Sequence, residues 1–530
     1  MSKPHPNLII REIKADALGE EVSDLLEKGA RMIYTSGVDM GVRGIKVNYY
    51  FCFDYQEPSQ HIILRMYLDR KNPVIQSVTP VTSQADWSER ELIEFLGITV
   101  EGHPNPTHLW LPLDWKDIYT GGKPVANPDT GIINTAPPVK PVRDNIVTLP
   151  LTTIPYGPYH PAFIESNYLK MSVEDEVVQD VDLKLGFNHR SIIKLMERRD
   201  YYKDIFLAER ICGLCNTHHS LSFAMSVEDL ASVEVPKKAQ LARTLLCEME
   251  RIQSHLLSIG LIGELTGFRT MLMHAIRIRE EMQDSLEVVS GQRVTHGLIA
   301  LGGIRRDITA NQTDFILSKL KIMKKSVPQF FDQCLSNDVL MDRLKDVGIL
   351  KQENALRYGA IGPVARGSGL RIDVRKNSPY AAYEDVDWDI VTENGCDCLA
   401  RTKVKMGEAL MSMHICEQCC DKIKTAPAPL VAKINELPCD EAIAKNEAPR
   451  GELLYHVVSN GTNTPDFVRI RVPTFLTARI MVRLMQGCFV ADVPAIIGSV
   501  DPCFSCTDRV TIVKGNEQSI VDMRSLGDQR

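Results

Sequence analysis

Two pairs of cysteines carry the chemistry open to this chain. Cys212 and Cys215 lie in "ERICGLCNTHHS", and Cys503 and Cys506 lie in "DPCFSCTDRV" near the C-terminus. A C-x-x-C spacing lets two thiolates meet one metal, because a turn or first helical turn puts both sulfurs on one side. One such pair reads equally well as two core thiols. Two pairs this far apart in the chain can meet only through tertiary folding, which suits a buried cofactor better than a compact zinc module. Four thiolates select a soft or borderline metal. Zinc would be held by four sulfurs and do no redox work. Two metals sharing the set, with two cysteines bridging and two terminal, would keep a position open for a reaction. Spacing alone leaves these alternatives standing.

The surroundings of the first pair add detail. Gly213 between the cysteines permits close backbone approach. Asn216 or Thr217 can cap the helix suggested by "HHSLSFAMSVEDLA", which places Cys215 near a helix N-terminus where the dipole favours a thiolate. Arg210 stands just before and adds positive charge. His218 and His219 fall in the same turn and read as hydrogen-bond donors toward sulfur rather than as ligands. A third pair, Cys416 and Cys419 in "HICEQCCDKI", sits in a helical pattern with Met411, Met413 and Ile415 and reads as helix thiols outside the site.

The elements that position these residues follow from patterning. The chain has 530 residues, too many for one ordinary domain, and its 44% hydrophobic and 24% charged content is that of a folded protein. A net charge of −7 without basic blocks predicts no nucleic-acid partner. Fourteen scattered cysteines behind a polar opening stretch predict a reducing compartment. No apolar run is long enough to span a bilayer, so membrane attachment would come through a partner. Residues 1–115 read as an α+β domain, with β-formers in "KVNYYFCFDY" and "HIILRMYLDR". "ADWSERELIEFLGI" reads as a helix capped by Asp86, with Glu89 completing a capping-box pattern and a glycine as stop. Residues 116–158 are dense in Pro, Gly and Asn and read as an extended linker. From 159 to 509 the pattern is mainly helical, as in "KKAQLARTLLCEMERIQSHLLSIGLIGELTGF" and "RTKVKMGEALMSMHICEQCCDKI". The expected fold is an α+β N-terminal domain followed by a mainly α helical bundle with short strands at its margins.

At this point the motifs match a family. "RICGLCNTHH" resembles the R-x-C-G-x-C-x-x-x-H signature of nickel–iron (NiFe) hydrogenase large subunits. "DPCFSCTDR" resembles their C-terminal D-P-C-x-x-C signature ending in His or Arg, and "NEAPRGELLYH" is similar to their E-x-P-R-G segment. "GGIRRDI", "GPVARGSG" and "GFNHR" resemble the membrane-bound, complex I-related branch typified by the formate hydrogenlyase large subunit. "ADWSERELIEFLGITVEGHPNPTHLWLPLDW" is similar to the complex I peripheral-arm subunit fused N-terminally in some of these enzymes. The cysteine quartet is specific, because the homologous complex I subunit lacks it.

The resemblance implies a Ni–Fe centre with CO and cyanide on iron, interconverting protons plus electrons and H2. By carry-over, Cys212 and Cys503 are terminal nickel thiolates, while Cys215 and Cys506 bridge nickel and iron. Arg450 would lie over the open face, Pro449 would wall the pocket, Asp501 would hold Arg450, His219 would donate toward a bridging sulfur, and Glu165 would be the proton gate beside a terminal thiolate. Iron–sulfur clusters would lie only in a partner small subunit. Further implied partners are the membrane subunits of a complex I-like arm, an electron-donor enzyme oxidising formate or CO, or ferredoxin, and a maturation endopeptidase with nickel chaperones. The location implied is the cytoplasmic face of the inner membrane, peripherally. The endopeptidase would cut after Arg509 and release 510–530. Arg509 stands where many members carry histidine, so the resemblance leaves open whether a magnesium or iron ion sits at that terminus. The branch's H-R-G-x-E-K also departs, with Ser191 and Ile193 replacing Gly and Glu. Two competing readings are a non-catalytic complex I-like scaffold or quinone module, and a zinc-structured binding protein.

Overall fold

The computed structural model describes residues 8–54, 60–110, 119–120, 123–124, 151–160, 163, 165–188, 190–435 and 437–507. Its N-terminal part runs β1 (Leu8–Glu12), α1 (Leu18–Glu27), β2 (Arg31–Asp39), β3 (Ile45–Phe53), β4 (Gln60–Leu68) and α2 (Asp86–Leu96). The sheet order is β1-β4-β3-β2, with β1 parallel to β4 and the other pairs antiparallel. On one face, Val47, Tyr49 and Phe51 of β3 join Ile62, Leu64 and Met66 of β4 in a core closed by α1 and α2. On the other, Tyr50, Cys52 and Ile63 belong to the core shared with the rest of the chain. Burial on both faces is why β3 alternates only partly.

The α2 start differs from expectation. Ala85 holds the cap position and Asp86 makes no capping bond. Glu89 is drawn instead into the neighbouring loop, accepting from the hydroxyls of Ser77, Thr79 and Tyr49 and from the Val78 amide. Gly97 ends the helix in the left-handed region at φ 62°, the stop the glycine predicts.

Most of the 116–158 stretch lies outside the described residues. Its end forms β5 (Thr152–Tyr156), which pairs in an antiparallel sheet with β6 (Tyr168–Glu174), itself paired to β7 (Val177–Lys184). Helices follow: α3 (Tyr201–Glu209), α4 (Asn216–Leu230), α5 (Lys237–Leu265), α6 (Arg269–Ser290), α7 (Ala310–Leu335) and α8 (Cys398–Thr425). The last four close a ring, α5 against α6 and α8, and α7 against the same two. A capping box of Thr309 and Gln312 starts α7. The α5–α8 seam is polar: Glu248, His255 and Ser258 meet Ser412, Glu408 and Lys405.

The chain ends with β8 (Glu441–Ala448), β9 (Gly451–Ser459), β10 (Pro465–Arg471), α9 (Pro473–Met485), α10 (Val493–Val500) and α11 (Phe504–Thr507). The three strands form an antiparallel sheet of order β8-β9-β10. "Mainly helical" therefore describes the four-helix ring alone; strands are structural partners of the bundle, not margins. Periodicity hid β8 because Lys445, Asn446 and Glu447 read as solvated, yet all three are buried. Among the described residues no helix is long and apolar enough to cross a membrane.

Candidate metal centre

The two cysteine pairs meet. Cys212 and Cys215 lie on the loop joining α3 to α4; Cys503 follows α10 and Cys506 sits in α11. The sulfurs of Cys212 and Cys503 are 3.5 Å apart, those of Cys215 and Cys506 3.7 Å, and those of Cys503 and Cys506 3.1 Å. All four cysteines are buried. Cys212, Cys215 and Cys506 alone among the described residues form a metal-sized cluster of three or more His, Cys, Asp or Glu ligand atoms. Hydrogen bonds from Cys215, Cys503 and Cys506 pull the Cys212 thiol well below its ordinary range. Bonding to Cys212 pushes Cys215 and Cys503 up, and burial pushes Cys506 up. Four sulfurs at this spacing cannot share four negative charges in a buried site without a cation among them, so the donor set fits a soft metal.

The expected cap of α4 is not made by Asn216 or Thr217. Cys215 occupies the cap position without a side-chain bond. Glu250 of α5 does the work, accepting from the amides of Thr217 and His218 at 3.0 and 3.3 Å. Asn216 accepts from the His296 amide. The two histidines separate. His218 turns to Glu250 through Nδ1, whereas His219 faces the cluster, its Nε2 3.6 Å from the Cys506 sulfur and its Nδ1 2.8 Å from the Tyr455 hydroxyl. Arg210 does not charge the site: its half-exposed guanidinium bonds Glu209 and the Phe206 carbonyl.

The cation at the sulfurs is Arg450, in the two-residue turn between β8 and β9, just after the buried Pro449. It donates to the Asp501 carbonyl at 2.7 Å, to Asp501 Oδ1 at 2.9 Å and to Ser254 Oγ at 3.3 Å. Burial opposes its charge, but Asp501 and the sulfurs of Cys503, Cys212 and Cys215 more than offset that and hold its pKa high. Asp501 itself sits in the left-handed region, φ 59°, at the end of α10. Glu165 Oε1 lies 3.6 Å from the Cys503 sulfur, and its Oε2 accepts from the Ser505 amide at 2.6 Å. Cys416 and Cys419 are buried in α8, outside this cluster. Arg509 and 510–530 lie outside the described residues.

Sequence reasoning passed over three supports. Arg190 donates to the Ile211 and Ser505 carbonyls and so ties the two cysteine loops together. Thr474 accepts from the Cys503 amide at 2.9 Å. Lys405 approaches Asp501 Oδ2 at 3.9 Å. Only Arg190 had a signal, within "GFNHR". Next to it, Ser191 adopts φ 53°, a region that favours glycine, and Ile193 is buried where the branch carries its acid.

Comparison with known proteins places the whole chain in context. The family model of the respiratory-chain NADH dehydrogenase 49 kDa subunit matches residues 266–435 and 429–509, that of the 30 kDa subunit matches 12–125, and that of nickel-dependent hydrogenase matches 190–259. The carbon monoxide-induced hydrogenase of Rhodospirillum rubrum is 36% identical across 67% of this chain and 99% of its own. The membrane-bound hydrogenase subunit alpha of Pyrococcus furiosus is 37% identical across 70% and 91%, and formate hydrogenlyase subunit 5 of Escherichia coli is 32% identical across 85% and 80%. A solved chain of the archaeal membrane-bound sulfane sulfur reductase matches with a TM-score of 0.65 at 31% identity, over 68% of this chain and 98% of that one. With the cysteine signatures, the chain thus belongs to the membrane-bound, complex I-related family of NiFe hydrogenase large subunits.

Proposed function

We propose that this chain is the catalytic large subunit of a multisubunit, membrane-associated NiFe hydrogenase that interconverts protons plus electrons and H2, in the H2-evolving direction with formate, CO or ferredoxin as electron source. The fold alone does not decide this, since NADH-quinone oxidoreductase C/D of Phocaeicola vulgatus is 29% identical over 94% of this chain. The observation that carries it is the buried cluster of four sulfurs under Arg450.

Cys212, Cys215, Cys503 and Cys506 would together hold a nickel–iron centre whose iron carries CO and cyanide. When bound, that centre supplies the redox chemistry that activates hydrogen. The chain's own residues do the rest. Glu165, fixed at Oε2 by the Ser505 amide, takes up protons arriving from outside and hands them from Oε1 to the Cys503 sulfur. Arg450 presents a fixed positive charge, and Pro449 helps wall off water. His219 donates to the sulfur of Cys506, its ring oriented by Tyr455. Electrons arrive from iron–sulfur clusters of a partner small subunit, and membrane subunits hold the chain at the cytoplasmic face.

The test is Cys506→Ser in the matured complex, with nickel content and methyl viologen-driven H2 evolution as readouts. Nickel and activity are both expected to be lost. Native activity in the variant eliminates the reading.

A further inference from the structure

We propose that Lys405 is a positioning residue for Arg450: it neutralises the outer oxygen of Asp501 and so leaves Arg450 its charge over the sulfurs. This inference rests on the hydrogenase reading above.

Lys405 is buried in the α5–α8 seam, 2% exposed. Its Nζ donates to Ser258 Oγ at 2.8 Å and to the Gly498 carbonyl at 3.4 Å, and stands 3.9 Å from Asp501 Oδ2. The other oxygen of Asp501 takes Arg450. One carboxylate therefore lies between two cations. Each cation rests on a serine of α5, Arg450 on Ser254 and Lys405 on Ser258, four residues apart and so one above the other on one helix face. The C-terminal end of α10, with its partial negative charge, adds a second attraction for Lys405 through Gly498. Arg450 and Arg401 face Lys405 with like charge, and Glu408 one turn along α8 is already engaged by Arg366 and His255. Burial lowers Lys405 to about 8, with Asp501 opposing the shift, so the ammonium stays charged near neutrality.

The consequence for Arg450 is electrostatic and geometric. An isolated Arg450–Asp501 pair would be neutral as a unit and weak toward the sulfurs. With Lys405 the group carries one net positive charge, and that charge acts inside a water-poor site. Without Lys405, Asp501 Oδ2 would be free to join Oδ1 on the guanidinium. A bidentate fork is the stronger arrangement, and it would pull Arg450 off the sulfurs. An aliphatic side chain would fill the same seam at lower desolvation cost; a lysine there is explained by what it does to Asp501.

The test uses the matured complex with Lys405→Met, Lys405→Arg and Ser258→Ala. For Lys405→Met, nickel and iron content and thermal midpoint should match native. H2 evolution should fall about tenfold to a hundredfold, the upper figure being that for a 1 Å misplacement. The infrared bands of the iron-bound diatomic ligands should shift. Lys405→Arg should regain most of the activity, and Ser258→Ala should shift the bands the same way by less. Native turnover with native bands in Lys405→Met overturns the proposal. So does lost turnover accompanied by lost metal or a lowered midpoint in both Lys405→Met and Ser258→Ala, because the role would then be in folding. A native complex without nickel or H2 evolution refutes the hydrogenase reading itself.

Discussion

Glu165 makes two contacts with the same short segment, one to the Cys503 sulfur and one to the Ser505 amide. The amide bond fixes the carboxylate with Oε1 toward the sulfur, the placement that the proposed proton transfer requires. Glu165→Gln keeps an oxygen for the Ser505 amide and removes the titrating group. Nickel content should be retained, and H2 evolution should fall about a hundredfold or more, the usual contribution of a placed acid–base group. Unchanged turnover in a nickel-replete variant would assign proton delivery elsewhere. The cysteine pairs were readable because thiol pairs have a diagnostic spacing, and Arg450 only through the resemblance of "NEAPRGELLYH" to a family segment. Lys405 was not. A lysine within a helical pattern ordinarily covers the solvated face, and only the packing of α8 on α5 turns this one inward. Arg210 failed the other way: its neighbours in sequence suggested a charge at the sulfurs, but α3 ends there and directs the side chain outward.

Elements place these residues by close backbone approach. The β8–β9 turn that carries Arg450 is backed by Gly362, whose φ is +61°. A Cβ there would stand 2.4 Å from the Arg450 carbonyl oxygen and 2.6 Å from the Gly451 Cα. Gly102 has a comparable φ of +75° with nothing within 4 Å of its Cβ position. The pair separates backbone strain from displacement. Gly102→Ala should cost about 1 kcal/mol and leave turnover native. Gly362→Ala should cost about 2–4 kcal/mol, strain and overpacking together, and should also lower H2 evolution because the turn must move. Chemical denaturation and turnover on both variants measure this; native turnover in Gly362→Ala would show that Arg450 tolerates the shift. The helices of the ring were legible in apolar periodicity. The β8–β9 hairpin was not, since its polar residues are buried in partnered positions that no local pattern marks.

At the scale of the whole molecule, the N-terminal sheet is a wall of the catalytic part. β2, β3 and β4 lie against the β8–β9 hairpin through buried ion pairs. Arg31 bonds Asp54 at 2.6 Å and Glu452 at 3.0 Å, Arg65 bonds Glu441 at 2.7 Å, and Tyr50 bonds His456 at 2.8 Å. Lys445 and Arg471 share Glu452 from the other side. Only Gly451 separates Glu452 from Arg450 in the chain. The N-terminal part therefore touches the hairpin that carries Arg450, a relation invisible to patterning because its members are far apart in sequence. Arg31 holds an acid from each part, Asp54 and Glu452. Arg31→Met leaves Asp54 buried with only the more distant Lys445, 3.8 Å away. Breaking such a pair should cost about 3–5 kcal/mol. Arg31→Met with Asp54→Asn removes the stranded charge and should recover part of that loss. If the hairpin transmits the change, H2 evolution should fall in the single variant and recover with stability in the double. Stability lost without any change in turnover per nickel would show that the N-terminal part holds the fold and leaves Arg450 untouched.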